Sequence, residues 1–117
     1  MSTRQFVCVK MKAGGGDMTD KIYSIPDIQT ILKPIFVSNG VRRAILFGSY
    51  GKGSANKKSD VDLLVDSGLK GLKFVGLTEE VRKALDKEID MFDISHIEPN
   101  SRIEAEIGET GVLLYEQ

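Results

Sequence analysis

Residues 46–66 read LFGSYGKGSANKKSDVDLLVD. A short apolar run ends in Gly48-Ser49, ten residues follow, and Asp60-Val61-Asp62 then leads into a second apolar run. A strand that ends in Gly-Ser can present backbone N–H groups and a hydroxyl to a phosphate. A second strand with carboxylates at i and i+2 points both to one face, roughly 6–7 Å apart along the chain. Two acids aimed at one spot repel unless a cation sits between them, and hard oxygen ligands of this kind suit Mg²⁺. A phosphate cradle beside metal-binding carboxylates is the minimum equipment for nucleotidyl transfer.

Outward from this stretch, the elements alternate. Ser24-Ile25-Pro26-Asp27 reads as a helix start, with a serine cap, an early proline and an acid in the first turn. Ile28, Ile31, Leu32, Ile35 and Phe36 recur as one apolar stripe. Pro34 falls within it and is expected to kink the helix or end it early. Asn39-Gly40 is a left-handed cap candidate. Val41–Phe47 and Val61–Val65 are the two strands of the motif, joined by a polar, mobile connection containing Gly51, Gly53, Ser54, Asn56 and two lysines. Phe74, Leu77, Val81, Ala84 and Leu85 follow helical spacing, with Gly76 weakening the first turn. Glu88–Ile94 is a third strand, Pro99–Gly108 a second amphipathic helix after it, and Val112–Tyr115 a final short strand or tail. The expected fold is a small α/β (α+β) domain, a mixed sheet with helices packed mainly on one face.

The first 23 residues differ in character. Gln5–Met11 could form a short strand, but Ala13-Gly14-Gly15-Gly16-Asp17 is a flexible break, directly followed by Met18. The expected division is an N-terminal extension over residues 1–23, partly flexible, and a domain over 24–117, with a compact start near Met18.

Composition narrows the function. The chain has 117 residues, enough for one core. Sixteen Lys and Arg against seventeen Asp and Glu give a net charge of −1, which argues against extended nucleic-acid binding because that needs a basic surface. The lone Cys8 allows neither an internal disulfide nor a cysteine metal cluster, and fits a reducing cytoplasm. No apolar run approaches the ~20 residues that span a membrane, and no signal-peptide core is visible. The single His96 reads as a solvated loop residue.

In order and spacing, Phe47, Gly48, Ser49, Gly53, Ser54, Ala55, Ser59, Asp60, Asp62 and Leu63 resemble the signature of the DNA polymerase β-type nucleotidyltransferase superfamily. More narrowly, they resemble the minimal nucleotidyltransferases of bacteria and archaea. The resemblance runs from about Ile28 to Leu114. It implies a third metal carboxylate on a later strand, which Asp90 in Glu88-Ile89-Asp90-Met91-Phe92-Asp93 matches. Asp93 has opposite parity on that strand and competes less well. By the same resemblance Asp60, Asp62 and Asp90 are the catalytic and metal-holding acids, two Mg²⁺ ions are bound, and ATP is the nucleotide. Gly48 and Ser49 contact its phosphates, and Ser59 either supports the ligands or simply starts the strand. Asp66 lies roughly 13 Å along from Asp62, too far for the same ions.

One departure is visible. Where the family often carries an arginine near its Gly-Ser, this chain has Tyr50-Gly51-Lys52, leaving Lys52, Lys57 or Lys58 to meet the triphosphate. Stand-alone members of the family typically act as antitoxins that transfer AMP to a tyrosine of a HEPN ribonuclease toxin. The resemblance therefore implies such a partner, with homo- or hetero-oligomers as the accompanying expectation. A binding module that neutralises its partner by occlusion, and a subunit of a small-molecule (aminoglycoside-type) nucleotidyltransferase, are the alternative expectations.

Overall fold

A computed structural model describes residues 8–11, 23–53, 55 and 60–117. The elements are β1 (Cys8–Met11), α1 (Ile25–Ser38), β2 (Arg43–Phe47), α2 (Gly48–Lys52), β3 (Val61–Asp66), α3 (Leu72–Leu85), β4 (Ile89–Asp93), a 3₁₀ turn (Ile94–His96), α4 (Arg102–Thr110) and β5 (Val112–Glu116). They build one five-stranded mixed sheet in the order β1-β4-β3-β2-β5. Among the described residues only β3 and β4 run parallel; a parallel pair needs a long crossover, and α3 supplies it.

The period-2 alternation of β3 divides the molecule. Val61, Leu63 and Val65 face α1 and α3, where Ile28, Leu32, Phe36, Phe74, Leu77, Val81 and Leu85 close a fully buried core with Ala44, Leu46, Ile89 and Met91. Leu64 turns the other way into a smaller cluster with Phe47 and Phe92, whose rings sit 5.7 Å apart. Ile103 and Ile107 of α4 cover that cluster. The two 14-residue helices thus lie on one face, as the fold expectation has it, and the short α4 lies on the other.

Several local expectations are modified. α1 is capped as expected, Ser24 Oγ accepting from the Asp27 N–H at 3.2 Å, but Pro34 does not end it. Pro34 and Thr30, whose carbonyl loses its helical donor, are both exposed, so water can satisfy that carbonyl. Meanwhile Leu32 and Phe36 anchor the helix on both sides of the proline. On α3, Ala84 is exposed. Thr78 is buried in the stripe instead, its hydroxyl bonded to the Phe74 carbonyl at 3.0 Å. The connection after Gly48 begins as the helical turn α2 because Tyr50 is drawn into the main core. β5 pairs with β2 as a true strand. The flexible break and the boundary expected near Met18 lie outside the described residues, as do Ser54, Lys57, Lys58 and Ser59.

Candidate active site

The two halves of the motif meet because β2 and β3 are antiparallel neighbours in which Phe47 is the partner of Asp62. On the opposite side of β3, Asp62 is in register with Asp90 of β4. Neighbouring strands stand about 4.8 Å apart, so the two carboxylates share one face of the sheet. The same row of Cα partners continues to Lys10 of β1. Asp60 precedes β3 by one residue and lies near enough to act on Asp62 through its charge.

The electrostatics of this face are unfavourable by construction. Asp62 is partly buried, and its carboxyl is pushed up to about 7, first by burial and then by the charge of Asp90. A hydrogen bond from protonated Asp62 to Asp90, and the charges of Asp60 and Glu106, push in the same direction. Like charges held this close favour one shared proton over two anions. A divalent cation relieves the same repulsion, and the donor set is all carboxylate oxygen, so the residues fit Mg²⁺. Among the described residues, no three His, Cys, Asp or Glu side chains are already gathered as a closed metal shell. The geometry is an adjacent pair, Asp62 and Asp90, with the charges of Asp60 and Glu106 near enough to act on Asp62.

Gly48 adjoins this pair. Its φ of +74° is in the left-handed region, and an added Cβ would be driven into Asp62 Oδ2. Its N–H donates to the Thr110 hydroxyl at 2.9 Å. That amide is therefore occupied in this conformation, whereas Ser49 beside it is partly exposed. Tyr50 is buried and serves as an anchor for α2. Lys52 is exposed.

The other candidate acids are committed elsewhere. Asp93 is buried and accepts from Ser67 N–H (3.1 Å) and Oγ (2.7 Å), and from Ser95 N–H (3.0 Å) and Oγ (2.6 Å). Burial alone would raise its carboxyl; the hydrogen bonds from Ser95 and Ser67 outweigh this and hold it below the usual carboxylate range. Asp66 forms an ion pair with Arg42 at 3.3 Å. Two residues of α4 were not anticipated: Glu106, whose charge acts on Asp62, and Thr110. Their signal is the stripe Ile103, Glu106, Ile107, Thr110 at i, i+3, i+4 and i+7, which continues past Gly108.

An in-register pair of acids beside a Gly-Ser turn fits a nucleotidyltransferase, and the profile of the polymerase beta nucleotidyltransferase family matches residues 30–117. The chain belongs to that family. A relative from Methanocaldococcus jannaschii, named as a protein adenylyltransferase, is 36% identical over 78 residues, covering 65% of this chain and 84% of the relative. A toxin–antitoxin complex solved with AMP-PNP aligns with a TM-score of 0.62 at 22% identity, over 76% of this chain and 73% of the other. The Shewanella oneidensis complex of a tri-AMPylated HEPN toxin with an MNT antitoxin aligns with a TM-score of 0.58 at 19% identity, over 80% and 73%. These two likenesses are of fold. Among the described residues no helix is long and apolar enough to cross a membrane.

Proposed function

We propose that this nucleotidyltransferase is a minimal protein adenylyltransferase of the cytoplasm, transferring AMP from ATP to a tyrosine of a HEPN-type ribonuclease toxin and so acting as its antitoxin. The observation that carries the reading is the in-register pair Asp62–Asp90 packed beside Gly48. It joins an anionic metal-binding face to a phosphate-binding turn. The relative named as a protein adenylyltransferase supports the choice of a protein acceptor, and the toxin–antitoxin complexes that share the fold, one of them with a HEPN toxin, support the choice of partner.

In this reaction the acceptor hydroxyl oxygen forms a bond to the α-phosphorus of ATP. The bond from that phosphorus to the bridging oxygen of pyrophosphate breaks, and the hydroxyl proton is released. Asp60, Asp62 and Asp90 would hold Mg²⁺, which supplies charge neutralisation at the attacking and departing oxygens. Ser49 and the backbone after it would orient the terminal phosphates, with Ser59 in support and the exposed Lys52 the described lysine of the loop.

The test is to incubate the chain, the HEPN-type product of the neighbouring gene, Mg²⁺ and α-labelled ATP, in parallel with Asp60→Asn/Asp62→Asn. Label on a partner tyrosine that disappears with the double variant is expected. Neutralisation that survives the double variant without label would overturn the reading in favour of occlusion.

A further inference from the structure

We propose that Thr110, at the end of α4, is the positioning residue of the Gly48–Ser49 turn and thereby of the nucleotide phosphates; the second half of this inference rests on the function proposed above. Three observations converge on it. The Thr110 hydroxyl accepts from the Gly48 N–H at 2.9 Å. The same hydroxyl donates to the Glu106 carbonyl at 2.9 Å, so its donor and one acceptor position are both used. Finally, the backbone of Gly51 lies so close to the Thr110 carbonyl that a Cβ there would be driven into that oxygen.

The physical consequence is a two-point attachment. A hydroxyl that bonds back one helical turn has its rotation fixed by that bond, which holds its two lone pairs in fixed directions, one of them aimed at a single place. That place is the amide of the residue that must hold φ at +74° against Asp62. Helix α2 has only five residues, too few to hold its own orientation, so its first turn takes its position from what it is attached to. Tyr50 fixes it from the core side and Thr110 from the α4 side. Thr110 also sits one turn after Glu106, whose charge acts on Asp62. One helix face thus sets both the turn and part of the field at the acids.

Valine at this position keeps the shape of threonine and removes both bonds, whereas serine keeps both. Two readouts on the full-length chain judge the proposal. The first is amide hydrogen exchange at Gly48 in the nucleotide-free protein, followed by NMR. Thr110→Val is expected to speed it about fivefold or more, the loss that one net hydrogen bond implies, and Thr110→Ser is expected to stay within about twofold of the parent. The second is titration with Mg·ATP, where Thr110→Val is expected to bind about fivefold more weakly with the serine variant restoring affinity.

Unchanged Gly48 exchange in Thr110→Val overturns the attachment. Faster exchange with unchanged ATP affinity overturns the positioning role. Equal losses in the valine and serine variants, accompanied by a lower melting temperature in both, also overturn it, because packing rather than the hydroxyl is then responsible. A parent protein that binds no ATP refutes the proposed function, while the Gly48 exchange still decides the attachment.

Discussion

Removing the charge of Asp62 is expected to stabilise the metal-free protein while abolishing transfer. The carboxyl stands at about 7 against an ordinary value of 3.8, so between those pH values the folded chain holds a proton that the unfolded chain has released. Stability therefore falls as pH rises through that window, and the loss is complete above about pH 7. At about 1.36 kcal/mol per pH unit, a displacement from 3.8 to about 7 sets a ceiling of about 4 kcal/mol. Asp62 keeps partial solvent access, and screening reduces that ceiling to about 1–2 kcal/mol. In a domain of this size that amounts to about 4–10 °C in melting temperature. The assay is thermal unfolding of parent and Asp62→Asn in EDTA at several pH values. The variant is expected to melt higher at about pH 8, with the gap closing towards about pH 4–5 as the parent takes up its proton. Added Mg²⁺ is expected to raise the parent's melting temperature at about pH 8 and to leave the variant's nearly unchanged. A variant less stable than the parent at the higher pH, or a gap independent of pH, would refute the assignment of Asp62 as a charge held at a cost to the fold.

Other substitutions probe the rest of the frame. Gly48→Ala forces a side chain into the left-handed region and against Asp62 Oδ2; a loss of about 2 kcal/mol in urea unfolding is expected, and an unchanged midpoint would contradict the packing described. Asp93→Ala leaves the Ser67 and Ser95 donors without their carboxylate, at a cost of about 3 kcal/mol near neutral pH. Because the folded Asp93 carboxyl lies below its ordinary range, its contribution is present above that range and lost as pH falls through the lowered value. The deficit of the alanine variant, read from melts across the acid range, should therefore shrink at low pH. Pro34→Ala restores a donor to an exposed helix interior and is expected to raise stability by about 1 kcal/mol or more; a lower urea midpoint would show that the proline is needed for the shape of α1.

Much of this is legible in the sequence, for identifiable reasons. Strands and helices with one buried face write their period into the sequence, so Ile28, Leu32 and Phe36, and likewise Phe74, Leu77, Val81 and Leu85, emerge as core. The spacing from Gly48-Ser49 to Asp60 and Asp62 belongs to one supersecondary unit, and antiparallel pairing brings its ends together. What could not be read was mostly tertiary. Asp90 and Asp93 lie three apart on one strand, and parity alone separates them without saying which face is which. The register with Asp62 on one side and the serine clamp on the other give them different surroundings. Tyr50 follows Gly-Ser as a polar-tipped residue in an apparent loop, and only packing against the core makes α2 of it. Gly108 suggests a helix end, yet an isolated glycine costs only about 1 kcal/mol. The helix continues to Thr110, where a side-chain bond to Gly48 makes the extra turn useful.

The two faces of the sheet explain how one small domain accommodates so much opposed charge. On β3 the odd residues Val61, Leu63 and Val65 are sealed under α1 and α3, and each fully buried side chain of this kind contributes about 1.5–3 kcal/mol. On the same strand Asp62 works against the fold. The alternation therefore places stabilising and destabilising residues one peptide apart, on opposite sides of the same backbone. Because the ladder is shared, the well-packed face holds the strand in register while its acids repel. Truncating Leu63 should then disturb the spacing of Asp62 and Asp90 as well as the core. Truncating Leu32, further from the acids in α1, should cost a similar few kcal/mol and leave the carboxyl pair as it was. Carboxyl titration of Asp62 by NMR in Leu63→Ala and Leu32→Ala separates the two: its value should move back towards the ordinary range only in the first. Equal movement in both would mean that the register depends on the core as a whole rather than on the strand itself.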